Sequence, residues 1–200
     1  MSFRLCLGPA ALTACLALLL ATGCDRVGRA LDITGAVAVV PPQPIGPERL
    51  RVTLPTRGAR AILAPVARKG NVTVWQTLDG ITLSFRDAVL VATRGLGDDL
   101  MSADVDGTLS MLHGSNETKH YSHIRSYLDG EDRTVFRSFQ CHRDMRAEAG
   151  SAPQINERCV SPRGEMTNTY WLDRAGKIAR SRQWVSPAIN YMETERLTRN

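Results

Sequence analysis

Two aspartates stand two positions apart in the run Asp104-Val105-Asp106-Gly107-Thr108-Leu109. Phosphoryl transfer through an aspartyl nucleophile uses that spacing: one carboxylate attacks phosphorus, the second handles the proton, and Mg²⁺ lies between them. The chemistry needs both groups at the end of a buried strand. Here Gly97 to Ala103 reads as helical, and no later acidic pair is spaced to complete a Mg²⁺ site. Acidic loop residues are the simpler reading, and an exported Mg²⁺-dependent phosphatase using Asp104 and Asp106 is kept as the alternative. His120 and His123 share one side of a helix but opposite faces of a strand. The segment reads as strand, so no shared metal site and no cofactor are expected. His113 and His142 read as isolated polar residues near loops.

The cysteines carry the sharper chemistry. Leu20-Ala21-Thr22-Gly23-Cys24 follows one positive charge, Arg4, and an uncharged apolar stretch from Leu5 to Leu20 that Gly8-Pro9 interrupts. The unbroken part is too short to span a hydrocarbon core, which takes about 20 residues. Residues 1–23 therefore read as a signal peptide. Small residues at the cut followed by Cys resemble a bacterial lipoprotein box, in which the Cys24 thiolate is alkylated by diacylglycerol. Two or three acyl chains anchor essentially permanently. An ordinary secretory cleavage is the alternative. Asp25 is an inner-membrane retention signal in enteric bacteria, so either membrane stays open. Cys141 and Cys159 remain, an even pair in an oxidising compartment, and read as a disulfide. Two free buried thiols or metal ligands are the alternatives.

A third set of residues could bind rather than react. Trp75, Trp171 and Trp184 could stack on sugar rings, and Arg180 and Arg182 lie on one face of a strand. A groove for an acidic polysaccharide is one reading; core packing and a solvated surface are the plainer ones. Net charge is +5, or +4 once Arg4 leaves with the signal peptide. Basic residues are interspersed, with no basic run interleaved with aromatics, so nucleic acid is not expected as a partner.

These residues depend on strands for their positions. Residues 24–48 contain Pro41-Pro42-Gln43-Pro44-Ile45-Gly46-Pro47 and read as a tether; residues 49–200 read as one β-rich domain, opened by the alternating run Arg49 to Leu54. Arg60 to Val66 is β-competent, with Pro65 marking an edge or bulge. Asp79-Gly80 is a two-residue hairpin signal. It predicts Leu78 opposite Ile81, Gln76 opposite Leu83, Trp75 opposite Ser84 and Val74 opposite Phe85. Trp75 then falls on the polar face, with Thr73, Thr77, Thr82 and Ser84. Ala88 to Thr93 is apolar on both faces and reads as a central strand. Asp98-Asp99 reads as a helix start. His120–Asp129 and Asp132–Cys141 form a second hairpin, with Tyr121, Ile124, Tyr127, Val135, Phe136 and Phe139 serving the core or its rim. Arg143 to Arg163 reads as polar and irregular. Met166–Asp173 and Ile178–Val185 form a third hairpin, and Ala188–Leu197 a last strand. The fold class is mainly β: a curved or partly closed antiparallel sheet of eight to ten strands in hairpins, with one or two short helices.

Three segments carry a wider resemblance: Val66 to Asp104, Tyr127 to Cys141 and Asn168 to Leu197. The tryptophan-bearing hairpins, the GLGDDLMSAD turn and the RQWVSP block in them resemble the YjbF/GfcB family, lipoproteins associated with group 4 capsule and exopolysaccharide production. The resemblance implies a lipid-anchored, periplasm-facing protein of the cell envelope, usually at the outer membrane. It implies a partner of the YjbH outer-membrane β-barrel type, and no catalytic residues. The function expected is an accessory one in polymer assembly or export, by binding a partner protein or glycan. A lipid or glycan carrier with a ligand cavity is the alternative.

Overall fold

The computed structural model describes residues 43–114, 120–144 and 154–197. The signal peptide at 1–23, Cys24 and the tether through residue 42 lie outside the described residues. Twelve strands follow in order: β1 Arg49–Leu54, β2 Ala59–Lys69, β3 Val72–Gln76, β4 Thr82–Arg86, β5 Val89–Arg94, β6 Leu100–Asp104, β7 Tyr121–Leu128, β8 Thr134–Asp144, β9 Gln154–Ser161, β10 Gly164–Leu172, β11 Ile178–Ser186 and β12 Asn190–Leu197. A 3₁₀ turn covers Pro55–Arg57, and the helix α1 covers Asp106–Leu112. All described pairings are antiparallel, and the order β5-β4-β3-β2-β1-β12-β11-β10-β9-β8-β7-β6 makes one sheet that curls into a nearly closed barrel.

The two end strands, β5 and β6, meet through side chains rather than a regular ladder. Leu100 N–H donates to Thr93 Oγ1 (3.0 Å), and Arg94 donates to the carbonyls of Leu100 and Met101. Closure of this kind hides edge strands that would otherwise invite association. The sheet is curled by bulges, one of them between Pro65 and Ala67, where the proline leaves the ladder without a donor. The interior is filled by Leu50, Val52, Leu63, Trp75, Leu83, Phe85, Leu90, Tyr127, Val185 and Met192.

Several expectations are corrected. Trp75 pairs with Leu83, Val74 with Ser84 and Gln76 with Thr82, one residue off the expected register. The turn is a three-residue loop, not a two-residue one. Thr77 N–H donates to the Ile81 carbonyl, Ile81 N–H donates to Thr77 Oγ1, and Gly80 takes a positive φ of 91°. One residue of slip exchanges the faces of a strand. Trp75 therefore joins the core at 6% exposure, and Leu78 is left at the loop tip. Asp98-Asp99 starts no helix. The Asp99 carboxylate instead accepts from Gly95 N–H, Leu96 N–H and the Thr93 hydroxyl, closing a turn into β6. The strand expected at Ala88 to Thr93 is not central but ends the order of strands; its two buried faces come from the barrel wall closing over it. Ile124 and Phe136 point outward, because the inward positions of β7 go to His123, Arg125 and Tyr127. The stretch read as irregular contains β9.

Candidate functional site

The outer face of β10–β12 gathers four of the residues predicted to bind. Trp171 pairs directly with Arg180, and Trp184 with Tyr191. The Arg180 guanidinium carbon stands 5.1 Å from the centre of the Trp171 ring, and that of Arg182 stands 3.4 Å from the centre of the Tyr191 ring. Trp184 meets Tyr191 edge to face at 5.2 Å. Strand alternation produces this array: Arg180, Arg182 and Trp184 alternate with the buried Ser181, Gln183 and Val185. At these distances each guanidinium is within cation–π range of its ring. Glu193 and Glu195 share this face, and Glu195 pairs with Arg51 at 2.5 Å. The surface is thus aromatic and charge-balanced rather than uniformly cationic.

Trp75, the fifth predicted residue, lies in the barrel core away from this array, and Trp184 also packs against the buried cluster of Phe139, Cys141, Cys159 and Met166. Cys141 and Cys159 face each other across β8 and β9 and form a disulfide, both fully buried. Asp104 and Asp106 do lie at the end of a strand, β6, with α1 after them. That corrects the helical reading of the preceding residues, yet the surroundings differ from what phosphoryl transfer needs. The sheet is antiparallel, Asp104 Oδ1 accepts the Asp106 N–H, and Asp106 pairs with Arg86. His123 is buried, while His120 sits near His142, with ring centres 5.2 Å apart.

Sequence reasoning missed a second arrangement, a buried polar network at the heart of the β7–β10 wall. Glu157 on β9 is fully buried. Its Oε1 accepts from Thr108 (2.5 Å) and Tyr121 (2.7 Å), and its Oε2 accepts from Asn168 (2.7 Å) and Tyr170 (3.4 Å). His123 Nδ1 stands 3.9 Å from Oε1, with the Thr108 hydroxyl 3.2 Å from that nitrogen. Burial alone would raise the Glu157 carboxyl. Hydrogen bonding and charge from His123, then hydrogen bonds from Thr108 and Asn168, outweigh it and bring the group down to about 2. Burial first, and then the Glu157 charge, raise the Tyr121 and Tyr170 hydroxyls. Arg125 is also buried; its Nη2 donates to the Trp184 carbonyl (2.8 Å), and burial, by disfavouring the charged form, lowers its pKa from the ordinary arginine value. Gly107 lets α1 lie against the Tyr121 ring, where a Cβ would collide. The one sequence signal for this network was the alternation Ile155, Glu157, Cys159, in which a charged residue takes an inward position.

The Cys141–Cys159 bridge adjoins the network: the ligand-type atoms of His123, Glu157 and both cysteines all lie within 4.8 Å of one another. Two of the four are spent in the disulfide, so the cluster as it stands is a cross-linked core. The network is buried at Thr108, His123, Glu157 and Asn168 and half-buried at Tyr121. Its chemistry is positional: it fixes the register of β7, β9 and β10 and seats α1 across one end of the barrel.

Among solved structures, the hypothetical lipoprotein YmcC from Escherichia coli K12 has a similar fold, with a TM-score of 0.58 and 14% sequence identity over 76% of this chain and 83% of that one. A comparison with curated proteins finds no match. The family described as "Group 4 capsule polysaccharide lipoprotein gfcB, YjbF" matches residues 46–197, which takes in every described strand. On that match, the chain belongs to the YjbF family of group 4 capsule polysaccharide lipoproteins.

Proposed function

We propose that this protein is a lipid-anchored, periplasm-facing accessory component of capsule or exopolysaccharide export, acting by docking a protein partner rather than by catalysis. The observation that carries the reading is the Trp171, Arg180, Arg182, Trp184 and Tyr191 array on the outer face of β10–β12. Tryptophan, tyrosine and arginine are the residues that most often dominate protein interfaces, where large rigid rings desolvate and arginine forks pair. The mixed charge of Arg51, Glu193 and Glu195 suits a polar rim better than it suits a uniformly acidic polymer. Anchoring through Cys24 would hold this face near the outer membrane, and an outer-membrane β-barrel of the same export system is the partner that the setting favours.

A photo-crosslinking residue at Thr169, on the same face, tests the docking. In polymer-producing cells it is expected to give one discrete adduct with such a barrel. Arg182→Ala with Trp184→Ala should reduce both the adduct and the surface polymer while the protein level holds. Absence of any adduct in producing cells would defeat the proposal. The anchor has its own test: radioactive palmitate should label the wild type and not Cys24→Ser.

A further inference from the structure

One end of the barrel is capped on its β6–β7 side by α1, and on the other side the described residues leave an opening. The opening is a cavity of about 530 Å³, within the range of roughly 300–1,000 Å³ common to ligand sites. Leu50, Trp75 and Phe85 lie at its base, and Thr73, Asn71 and Thr194 add hydroxyl and amide groups to its wall. Strand alternation also turns two arginines into it. Arg196 on β12 is opposite the inward Leu50, and Arg68 on β2 is opposite the inward Thr73. Arg49 and Lys177 complete a set of four cations against Glu48 and Asp87.

These charges differ in what they already hold. Asp87 accepts from Asn71 Nδ2 (2.9 Å), and Arg49 is occupied by the Gly46 and Glu48 carbonyls. Arg68 gives only its Nε–H, to Thr73. Among the described residues, the side chains of Lys177 and Arg196 have no hydrogen-bond or ion-pair partner. Lys177, in the β10–β11 turn, and Arg196 are exposed along the lining of the cavity, where their charges can meet an anion that enters it.

The wall beside them is fixed in advance. The β4–β5 turn places Asp87 at φ 47° and Ala88 at φ 69°, a left-handed conformation that costs an alanine about 1–2 kcal/mol. Gln183, from the opposite wall, holds it there. Its Oε1 accepts the Leu90 N–H (2.8 Å), and its Nε2 donates to the Ala88 carbonyl (3.0 Å) and to Ser181 Oγ (2.8 Å). Ser181 in turn meets Thr194 Oγ1 at 2.6 Å. A chain of side chains thus crosses the barrel beneath the cavity. Strain maintained by surrounding structure is a mark of pre-organised binding sites.

We infer that this cavity binds a carboxylate-bearing saccharide unit, with Lys177 and Arg196 on the acid group and Asn71, Thr73 and Thr194 on sugar hydroxyls. The inference rests on the reading of the protein as a capsule-export component and names a ligand for a site separate from the docking face. Anionic lipid would want the same cations but also an apolar channel for its chains. The barrel interior below Trp75 and Phe85 is filled by Leu63, Leu83 and Leu90.

The test is calorimetric titration of the full-length protein in detergent with a hyaluronan tetrasaccharide and with an oligogalacturonate tetramer. Chitotetraose serves as the neutral control and phosphatidylglycerol vesicles as the lipid arm. At least one acidic sugar should bind, weaken as salt rises, and lose at least tenfold in affinity in Lys177→Ala/Arg196→Ala. Arg60→Ala, an exposed cation outside the cavity, should bind as the wild type does, and circular dichroism checks that both variants fold. Failure of both acidic sugars to bind overturns the inference. So does equal binding of chitotetraose, wild-type affinity in the double variant, or binding of vesicles through these cations in place of sugar. A protein that still crosslinks through Thr169 but binds no acidic sugar would sink this inference alone. One that binds the sugar but gives no adduct would sink the docking reading alone.

Discussion

Between β1 and β5 the interior is filled by Leu50, Leu63, Trp75, Leu83, Phe85 and Leu90, whereas between β7 and β10 the same layer holds His123, Arg125, Glu157 and Asn168. The two walls belong to one sheet and solve one problem, the filling of a barrel, in different ways. Apolar packing is non-directional, so the first wall asks only for volume and shape. The second asks that each donor find its acceptor, and Glu157 alone receives four. The Glu157 carboxylate is fully satisfied and so specifies one arrangement, while among the described residues His123 Nε2 and Arg125 Nε of the same wall are buried without a hydrogen-bond partner. The polar wall is accordingly the one that carries the disulfide and the contact with α1.

The contrast is broken most severely at Glu157. Glu157→Leu strands the hydroxyls of Thr108 and Tyr121 and the Asn168 amide, and is expected to cost about 3–5 kcal/mol in urea unfolding. Leu83→Met, a swap of similar volume in the apolar wall, should cost less than about 1.5 kcal/mol. Equal losses in the two would erase the distinction.

Acid tests the same wall. Glu157 is held at about 2 in the folded protein against an ordinary 4.5. The unfolded chain therefore takes up the proton first as pH falls. The stabilisation is complete above about pH 4.5 and disappears as pH drops toward 2. Urea midpoints measured across that window should fall steeply in the wild type and flatten in Glu157→Gln.

Reducing Cys141–Cys159 frees a loop whose ends are 18 residues apart in sequence. The expected loss is roughly 3 kcal/mol, read as a drop in melting temperature with a thiol reductant. Cys141→Ser/Cys159→Ser should show the lowered melting point without the reductant. At the other wall the sign reverses. Ala88→Gly removes the left-handed strain of the β4–β5 turn and should stabilise by about 1 kcal/mol. The smallest effect belongs to the exposed Arg86–Asp106 pair: Asp106→Asn should shift stability by less than about 1 kcal/mol.

Legibility followed the same division. Alternation along Arg49–Leu54 marked a strand correctly, since its inward residues Leu50, Val52 and Leu54 are all apolar. β9 was hidden because its inward set includes Glu157, so the period-two signal failed where the network begins. Asp98-Asp99 misled because a carboxylate can satisfy free backbone donors of a turn as well as those of a helix; Asp99 does the former. Alternation placed Arg180 and Arg182 on one face of a strand, but only the pairing of β10, β11 and β12 sets Trp171 against Arg180 and Trp184 against Tyr191. Trp75 was misplaced by a single residue of loop length, which no propensity distinguishes from a two-residue turn.

By itself the chain's order of residues determined what is local and repetitive: the mainly antiparallel class, the hairpin order, the segments that carry the family likeness, and an even pair of cysteines. Alternation and turn chemistry act over a few residues, so they can be read along the chain. Only the tertiary structure decided which strands close the barrel, that Thr108, Tyr121, Glu157 and Asn168 share one carboxylate, and that Arg68, Lys177 and Arg196 line one cavity. Those outcomes depend on the curl of the whole sheet, which brings together residues up to 128 positions apart, and no local pattern encodes that distance.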